Sequence, residues 1–267
     1  MIRSRFFRKM PILQWKSNSI MSQPTKKYQN SPIVECICEF QFIPSGAWDV
    51  TFPGQFYVAV KDLFPVKEQK TGLDISFGNS QEVASHIKFQ PLIQFFNDDK
   101  KRLLQLDQNL LTINVLKPYP HWEIYYPLII DNLGKYINVM HPVGYQRVSL
   151  RYLNKIDILS QSLVLPEYFN FSLSVPEKFS SHSFSSFQNA IEFPFHSGRD
   201  VLAIRLLPLI SDKAGSSSFL LEIQYIMNKL DGISMDETSE WLNIAHQNIN
   251  ETFESCITDK LRKSFDS

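Results

Sequence analysis

Alternation of apolar and polar positions marks most of the predicted strands in this chain. Residues 33–43, IVECICEFQFI, place apolar and thiol side chains on one side and mainly polar ones on the other. This two-residue period predicts a strand with one buried face. Similar patterns predict further strands at 72–77, 88–96, 101–107, 110–116, 144–158, 187–195, 200–210 and 218–228, with a short one near 169–175.

Apolar positions at three- and four-residue steps predict two long amphipathic helices. The first stripe runs from Trp122 to Met140, and Pro127 predicts that this helix begins or bends there. The second covers 235–264, where Ser234 and Glu237 have the spacing of a capping box. A shorter helix is predicted at 53–64, between two prolines.

The order of these elements favours one fold class. Strands follow one another in hairpin-length pairs and do not alternate with helices, which predicts an α+β fold with antiparallel sheet packed by the two long helices. Residues 31–267 are predicted to form a single domain. Its halves, 31–143 and 144–267, each contain several strands followed by a long helix. We therefore expect the two halves to have similar folds, and we call them echoing halves.

Composition and charge limit the function classes. Hydrophobic residues make up 43% of the 267 residues and aromatic residues 13%, which is enough for a substantial core. Seven of the 27 basic residues and no acidic ones lie in residues 1–30, so residues 31–267 carry 20 basic and 27 acidic residues, a net charge of −7. An acidic domain repels phosphate backbones, which argues against nucleic-acid binding by the folded part.

The basic residues 1–30 have three interpretations. They could form an arm that binds nucleic acid or membrane, a transit-type leader, or a disordered extension translated from an early start with Met21 as the true first residue. The absence of a sustained periodicity favours the disordered extension.

Motifs for cofactor, metal or nucleophile chemistry are absent from the sequence. Neither G-x-G-x-x-G, Walker A, G-x-S-x-G nor H-E-x-x-H occurs, and the six histidines are dispersed. We therefore predict no catalytic, cofactor-binding or metal-binding residues and no cofactor. The three cysteines are expected to be reduced thiols of a cytoplasmic protein, with Cys36 and Cys38 buried in the core. No apolar run approaches the ~18 residues of a membrane-spanning helix, so no membrane partner is expected.

Polar-tipped aromatic residues cluster before the first long helix. Tyr119, His121 and Trp122, in Y-P-H-W, are candidates to line a ligand pocket or to contact a partner. The alternative is a helix-entry cap that holds the loop to the sheet.

The strand at 144–158 carries one polar side chain, Asn154, on its otherwise apolar face. Because an unpaired buried amide costs about 1–3 kcal/mol, we expect Asn154 to be structural: buried, hydrogen-bonded to main chain and located at an irregularity of the strand. Arg151 on the opposite side is a candidate to contact a ligand or partner, and the alternative is an ion pair with Glu123 or Asp131.

Several of these segments together resemble the TIGR04255 family, a sporadically distributed set of bacterial and archaeal proteins. The resemblance rests on PIVECICEFQF, FPGQFY, YPHWE, VSLRYLNKIDI and AHQNINETF, and it covers about 32–265. It implies no activity. Members of the family usually begin near the P-I-V-E segment, which favours the early-start interpretation, and their sporadic occurrence implies an accessory gene, mobile or defence-linked.

Three functional hypotheses follow, in order of preference. The first is a non-enzymatic interaction or regulatory module that acts through a partner protein. The second is a small-ligand binder with a pocket between sheet and helix lined by Tyr, Phe and Trp. The third is an enzyme whose polar groups converge from distant segments, for example Arg151 with His121.

Overall fold

Nine antiparallel strands and four helices make up the regular structure of a computed structural model that describes residues 26–74, 88–159, 163–171, 176–179, 186–212, 214–230 and 232–266. The strands are β1 (Ile33–Ile43), β2 (Val66–Asp74), β3 (Lys88–Phe96), β4 (Arg102–Asp107), β5 (Leu110–Leu116), β6 (Gly144–Leu159), β7 (Asn189–Phe195), β8 (Asp200–Leu209) and β9 (Ser216–Met227). The helices are α1 (Phe52–Val60), α2 (Trp122–Met140), α3 (Thr238–Cys256) and α4 (Asp259–Phe265).

The strands form one sheet in the order β2-β3-β4-β5-β1-β6-β9-β8-β7. The central pair is β1 with β6, and every described neighbouring pair is antiparallel. In the first half of the chain the first strand, β1, neighbours the last strand, β5. In the second half β6 likewise neighbours β9. The α+β class and the antiparallel sheet are confirmed.

The helices lie against one side of the sheet, which we call the covered face. The Tyr125 hydroxyl of α2 donates to the carbonyl oxygen of Ile113 in β5 at 2.7 Å. The Phe56 ring of α1 packs on Phe95 of β3 with 6.0 Å between centroids, and α3 packs on β6 and β9. None of the helices in the described part of the chain is long and apolar enough to span a membrane.

Alternate strand residues point to the other side, which we call the polar face. A row of amides there ends on a carboxylate. Asn114 donates to Glu35 at 2.6 Å, Gln105 donates to Asn114 at 3.3 Å, and Gln94 donates to Gln105 at 3.0 Å. Because a carboxylate can only accept hydrogen bonds, Glu35 fixes the orientation of all three amides. The last acceptor of the row, Oε1 of Gln94, is buried without a protein partner.

The long C-terminal helix predicted at 235–264 is wrong, because the chain forms two shorter helices, α3 and α4. Ile257 between them is extended, and Thr258 begins α4 by accepting from Leu261 N. The Ser234 N–H and hydroxyl both donate to the Glu237 side chain, which lies just before α3.

The apolar stripe predicted for α2 is confirmed at Ile129, Leu133 and Met140, but its other members are rotated away from the sheet. Tyr125 and Tyr136 are buried, whereas Trp122, Tyr126 and Ile137 are only half-buried, because the tyrosines reach the sheet. The helix begins at Trp122 and continues through Pro127. The strand predicted near 169–175 reduces to one bridge, Phe169 with Ile257, and residues 172–175 of it lie outside the described residues.

The folded part extends further toward the N-terminus than residue 31. Tyr28 packs between Phe253 and Phe265 and donates to Glu254 at 2.6 Å, while Asn30 N donates to Phe265 O at 2.8 Å. Residues 26–30 therefore belong to the folded body and not to an extension. Residues 1–25 of the predicted extension 1–30 lie outside the described residues.

Asn154 occupies an irregularity between β1 and β6. The register shifts between Ile33 and Glu35, so that Val34 is the additional residue opposite Asn154 and Leu153. The Asn154 side chain is buried on the covered face, and its Nδ2 donates to Leu221 O at 3.0 Å. The expected burial, main-chain hydrogen bond and strand irregularity are all present.

Asn154→Ala is expected to lower the free energy of unfolding by about 1–3 kcal/mol, because it leaves the Leu221 carbonyl oxygen without its side-chain donor. Urea unfolding measures this change. Asn138→Ala, on the exposed side of α2, is the control and should change stability by less than about 0.5 kcal/mol. Equal effects of the two substitutions would contradict a structural role for Asn154.

Candidate functional site

A chain of polar side chains connects β6 to α2 and α3. The Tyr119 and Tyr152 hydroxyls are 3.0 Å apart, and the Tyr152 hydroxyl is 2.7 Å from Nδ1 of His246. Nε2 of His246 is 2.9 Å from Nδ2 of Asn250, one turn further along α3. We call Tyr119, Tyr152, His246 and Asn250 the Tyr–His chain. A neutral imidazole donates with one nitrogen and accepts with the other, so both ring nitrogens are used.

Trp122 closes this chain from the α2 side. Its ring stacks on the His246 imidazole with 4.1 Å between centroids and 5° between planes. Its indole N–H donates to Asn243 Oδ1 at 3.1 Å, and Tyr126 bonds to Ser239 one turn along each helix. The beginnings of α2 and α3 are thereby joined across their contact.

Burial determines the protonation of the Tyr–His chain. Desolvation lowers the pKa of His246 from its ordinary value to about 4, and it raises the pKa values of Tyr119 and Tyr152 above theirs. The three groups are therefore neutral near pH 7. Because the Trp122 ring lies flat on His246, the imidazole is committed to internal bonds, and the chain fastens the two helices to the sheet.

His121 contributes mainly through its main chain. It precedes α2 with a positive φ of 69°, and its carbonyl oxygen accepts from Ile124 N and Tyr125 N. Its ring meets Tyr119 edge to face at 6.0 Å. Of the aromatic candidates, Trp122 thus contacts His246 directly and Tyr119 is linked to it through Tyr152, while His121 starts the helix.

Arg151 lies on the polar face, on the opposite side of the sheet from its neighbour Tyr152. Its guanidinium is 3.5 Å from Glu222, which is also 3.7 Å from Arg205. The alternative of an ion pair with Glu123 or Asp131 is wrong, since those carboxylates pair with Lys27 and Lys135.

The dispersed active site suggested for Arg151 with His121 is likewise not formed. His121 belongs to the helix layer on the covered face, and Arg151 faces the other way. Successive residues of a strand point to opposite faces, so Arg151 cannot join the Tyr–His chain from β6.

A buried carboxylate at the start of β8 was not recognised in the sequence. Asp200 is fully buried and accepts from Arg199 Nε at 3.1 Å and Nη2 at 2.7 Å. Tyr225 and Trp241 also donate to it, at 3.3 and 3.2 Å. The bond to Asp200 raises the pKa of Arg199. This group attaches α3 to β8 and β9, and only the adjacent pair Arg199-Asp200 was visible as a local signal.

The cysteines and carboxylates do not assemble a metal centre within the described ranges. Cys36, Cys38 and Cys256 are free and buried, and burial raises their pKa values, which disfavours the thiolate. In the same part of the chain, no three His, Cys, Asp or Glu side chains are grouped so that they could hold a metal ion.

The chain matches no protein-family model, and no curated protein matches it either.

Tyr152→Phe is expected to destabilise the protein more than Tyr119→Phe. Tyr152→Phe removes the partner of both His246 Nδ1 and the Tyr119 hydroxyl, at a cost of about 1–3 kcal/mol. Tyr119→Phe leaves the Tyr152–His246 bond in place and costs about 0.5–1.5 kcal/mol. Urea unfolding of both variants and the double variant gives the two costs and their coupling. A Tyr119→Phe cost equal to or above that of Tyr152→Phe would contradict the chain as described.

Stability should fall as the pH is lowered from about 6.5 to about 4, the window between the ordinary pKa of histidine and that of buried His246. In this window the unfolded chain binds a proton that the folded chain does not, so His246 accounts for a loss of up to about 3 kcal/mol. Urea unfolding across this range measures the slope.

His246→Gln should flatten that slope. His141→Asn, at the exposed left-handed C-cap of α2, is the control, because asparagine tolerates this conformation. An unchanged slope in His246→Gln would show that His246 is not the group responsible.

Proposed function

We propose that this protein is a non-enzymatic interaction or regulatory module, and that its polar face around Arg151 binds an acidic segment of a partner protein. The observation that carries the proposal is the group of Arg151, Glu222 and Arg205. One carboxylate lies between two guanidinium groups there, which leaves one positive charge in excess on a sheet face that α1, α2 and α3 do not cover.

Exposure favours a carboxylate as the complementary group. The side chain of Glu222 is 11% exposed, compared with 31% for Arg151 and 41% for Arg205. A partner that approaches the polar face therefore meets the arginines first. The side chains of Arg151 and Arg205 are partly exposed, so an arriving carboxylate would gain a charge-assisted hydrogen bond from their guanidinium groups.

The surface around these arginines is held in place before a partner arrives. Arg147, four residues before Arg151 in β6, pairs with Glu39 of β1, and the Glu35 amide row runs from β1 to β3. Side chains with fixed partners lose less conformational freedom on binding, which favours recognition of a defined partner.

The alternative of a ligand pocket between sheet and helices receives less support. The large aromatic residues that would line it are fully buried in the core, and Tyr125, Tyr136, Tyr145 and Trp241 are all among them. The polar groups of three of them already bond within the protein. The Tyr125 hydroxyl bonds to Ile113 O, the Tyr145 hydroxyl bonds to Thr238 at 2.8 Å, and the Trp241 indole bonds to Asp200.

Four further expectations belong to this proposal. They are membership of the TIGR04255 family, an accessory role that is mobile or defence-linked, a cytoplasmic location, and two echoing halves. In each half the first strand neighbours the last, and this shared feature supports the echoing halves. Superposition of 31–143 on 144–265 tests them. The free state of the described cysteines is consistent with the expected compartment.

A site-specific photo-crosslinking amino acid at Leu153, on the polar face beside Glu222, tests the proposal in native-host cells. The matched control carries the same amino acid at Val58, which is exposed on α1. We expect one crosslinked partner from Leu153, joined through a peptide rich in Asp or Glu, and none from Val58.

Arg205→Glu should lower the yield from Leu153 at least about tenfold, because it replaces attraction by repulsion. Lys61→Glu, a charge-matched change at the end of α1, should leave it unchanged. Equal crosslinking from Val58, no product from either position, or a yield that resists Arg205→Glu would overturn the proposal.

A further inference from the structure

We propose that a cavity at one end of the sheet binds a small, uncharged, largely apolar ligand. The cavity has a volume of about 270 Å³ and lies between the irregular connection after β6 and the adjoining ends of β8 and β9. It is separate from the Tyr–His chain and from the group around Arg151, so it does not depend on the proposed protein partner.

The lining of the cavity divides into an apolar part and a hydroxyl part. Six apolar side chains line it: Leu163, Leu165, Phe187, Pro208, Leu209 and Phe219. The other five lining residues are serines at positions 186, 211, 216, 217 and 218. No charged side chain is among these eleven described residues.

This lining determines the chemical class of the ligand. An ionised group would gain no counter-charge from the eleven described lining residues, so a neutral ligand is favoured. Apolar side chains favour an aromatic or branched hydrocarbon body, and serine hydroxyls can bond one N–H, hydroxyl or carbonyl group.

The volume determines the size of the ligand. An apolar cavity of about 150 Å³ holds one benzene molecule, so about 270 Å³ admits a larger group such as a bicyclic aromatic ring. Indole combines that size with an apolar ring system and a single N–H donor.

The walls are formed before a ligand enters. Phe219 of β9 is buried. Its ring packs edge to face on Phe169 with 5.5 Å between centroids, and the tilted ring of Phe187 lies 6.3 Å away. The hydroxyls of Ser211 and Ser216 are 2.6 Å apart across the β8–β9 turn. A cavity with its walls held in this way binds without a large ordering cost.

Isothermal titration of the full chain with indole tests the site, and indole-3-acetate is the charged counter-probe. We expect saturable one-to-one binding of indole and at least about tenfold weaker binding of indole-3-acetate. Ser217→Leu, which fills the cavity, should weaken indole binding at least about tenfold, whereas Ser45→Leu in an exposed loop should not change it.

Circular dichroism and thermal unfolding establish that each variant is folded. If Ser217→Leu does not fold, Leu163→Trp in the irregular connection fills the same cavity and carries the same expectation. No saturable binding of indole, equal binding of the anionic probe, or unchanged binding in a folded cavity-filling variant would overturn the proposal.

Discussion

The antiparallel pairing of β1 with β6 at the centre of the sheet is the constraint on which the rest of the structure depends. It joins the two halves of the chain into one nine-stranded sheet. Because strand residues alternate between faces, the register of this pair sends Tyr152 toward the helices and Arg151 toward the polar face. A shift by one residue would exchange them, and the irregularity at Asn154 helps to fix the register.

Polar side chains on the covered face serve mainly as attachments between layers. The Tyr–His chain holds α2 and α3 to β6, and Asp200 holds α3 to β8 and β9. Each buried polar group costs free energy unless it is bonded, so these groups specify one helix arrangement that apolar packing alone would leave less defined. The residues most suggestive of chemistry are thereby occupied, whereas the arginines of the polar face remain partly exposed.

The strands and their hairpins could be predicted from the sequence because alternation is a local property. β3, β5 and β6 begin and end within a residue of the predicted bounds. The break at Ile257 could not be predicted, because the apolar stripe continues through it and the bonds that favour the break come from Tyr168 and Glu167, far away in sequence.

The candidate site was predictable only in part, because many of its bonds join residues that are far apart in sequence. Tyr119 and Trp122 were selected from local pattern. In the structure Trp122 stacks on His246, and Tyr119 is linked to His246 through Tyr152. Apart from the adjacent Arg199, the Asp200 group draws its donors from β9 and α3, so its assembly could not be predicted from a single sequence. The rotation of α2 is decided by two tyrosines that are long enough to reach the sheet.

The central claim is that the Tyr–His chain is a sealed structural attachment and not a reactive centre. Titration of the His246 imidazole by ¹⁵N nuclear magnetic resonance between pH 7.5 and 4, a range chosen to span roughly the ordinary and lowered values, tests it most directly. We expect a neutral ring in one tautomer with an apparent pKa of about 4. An apparent pKa near the ordinary value of about 6.5, with exchange between tautomers, would show that water reaches the ring and that the attachment is not sealed.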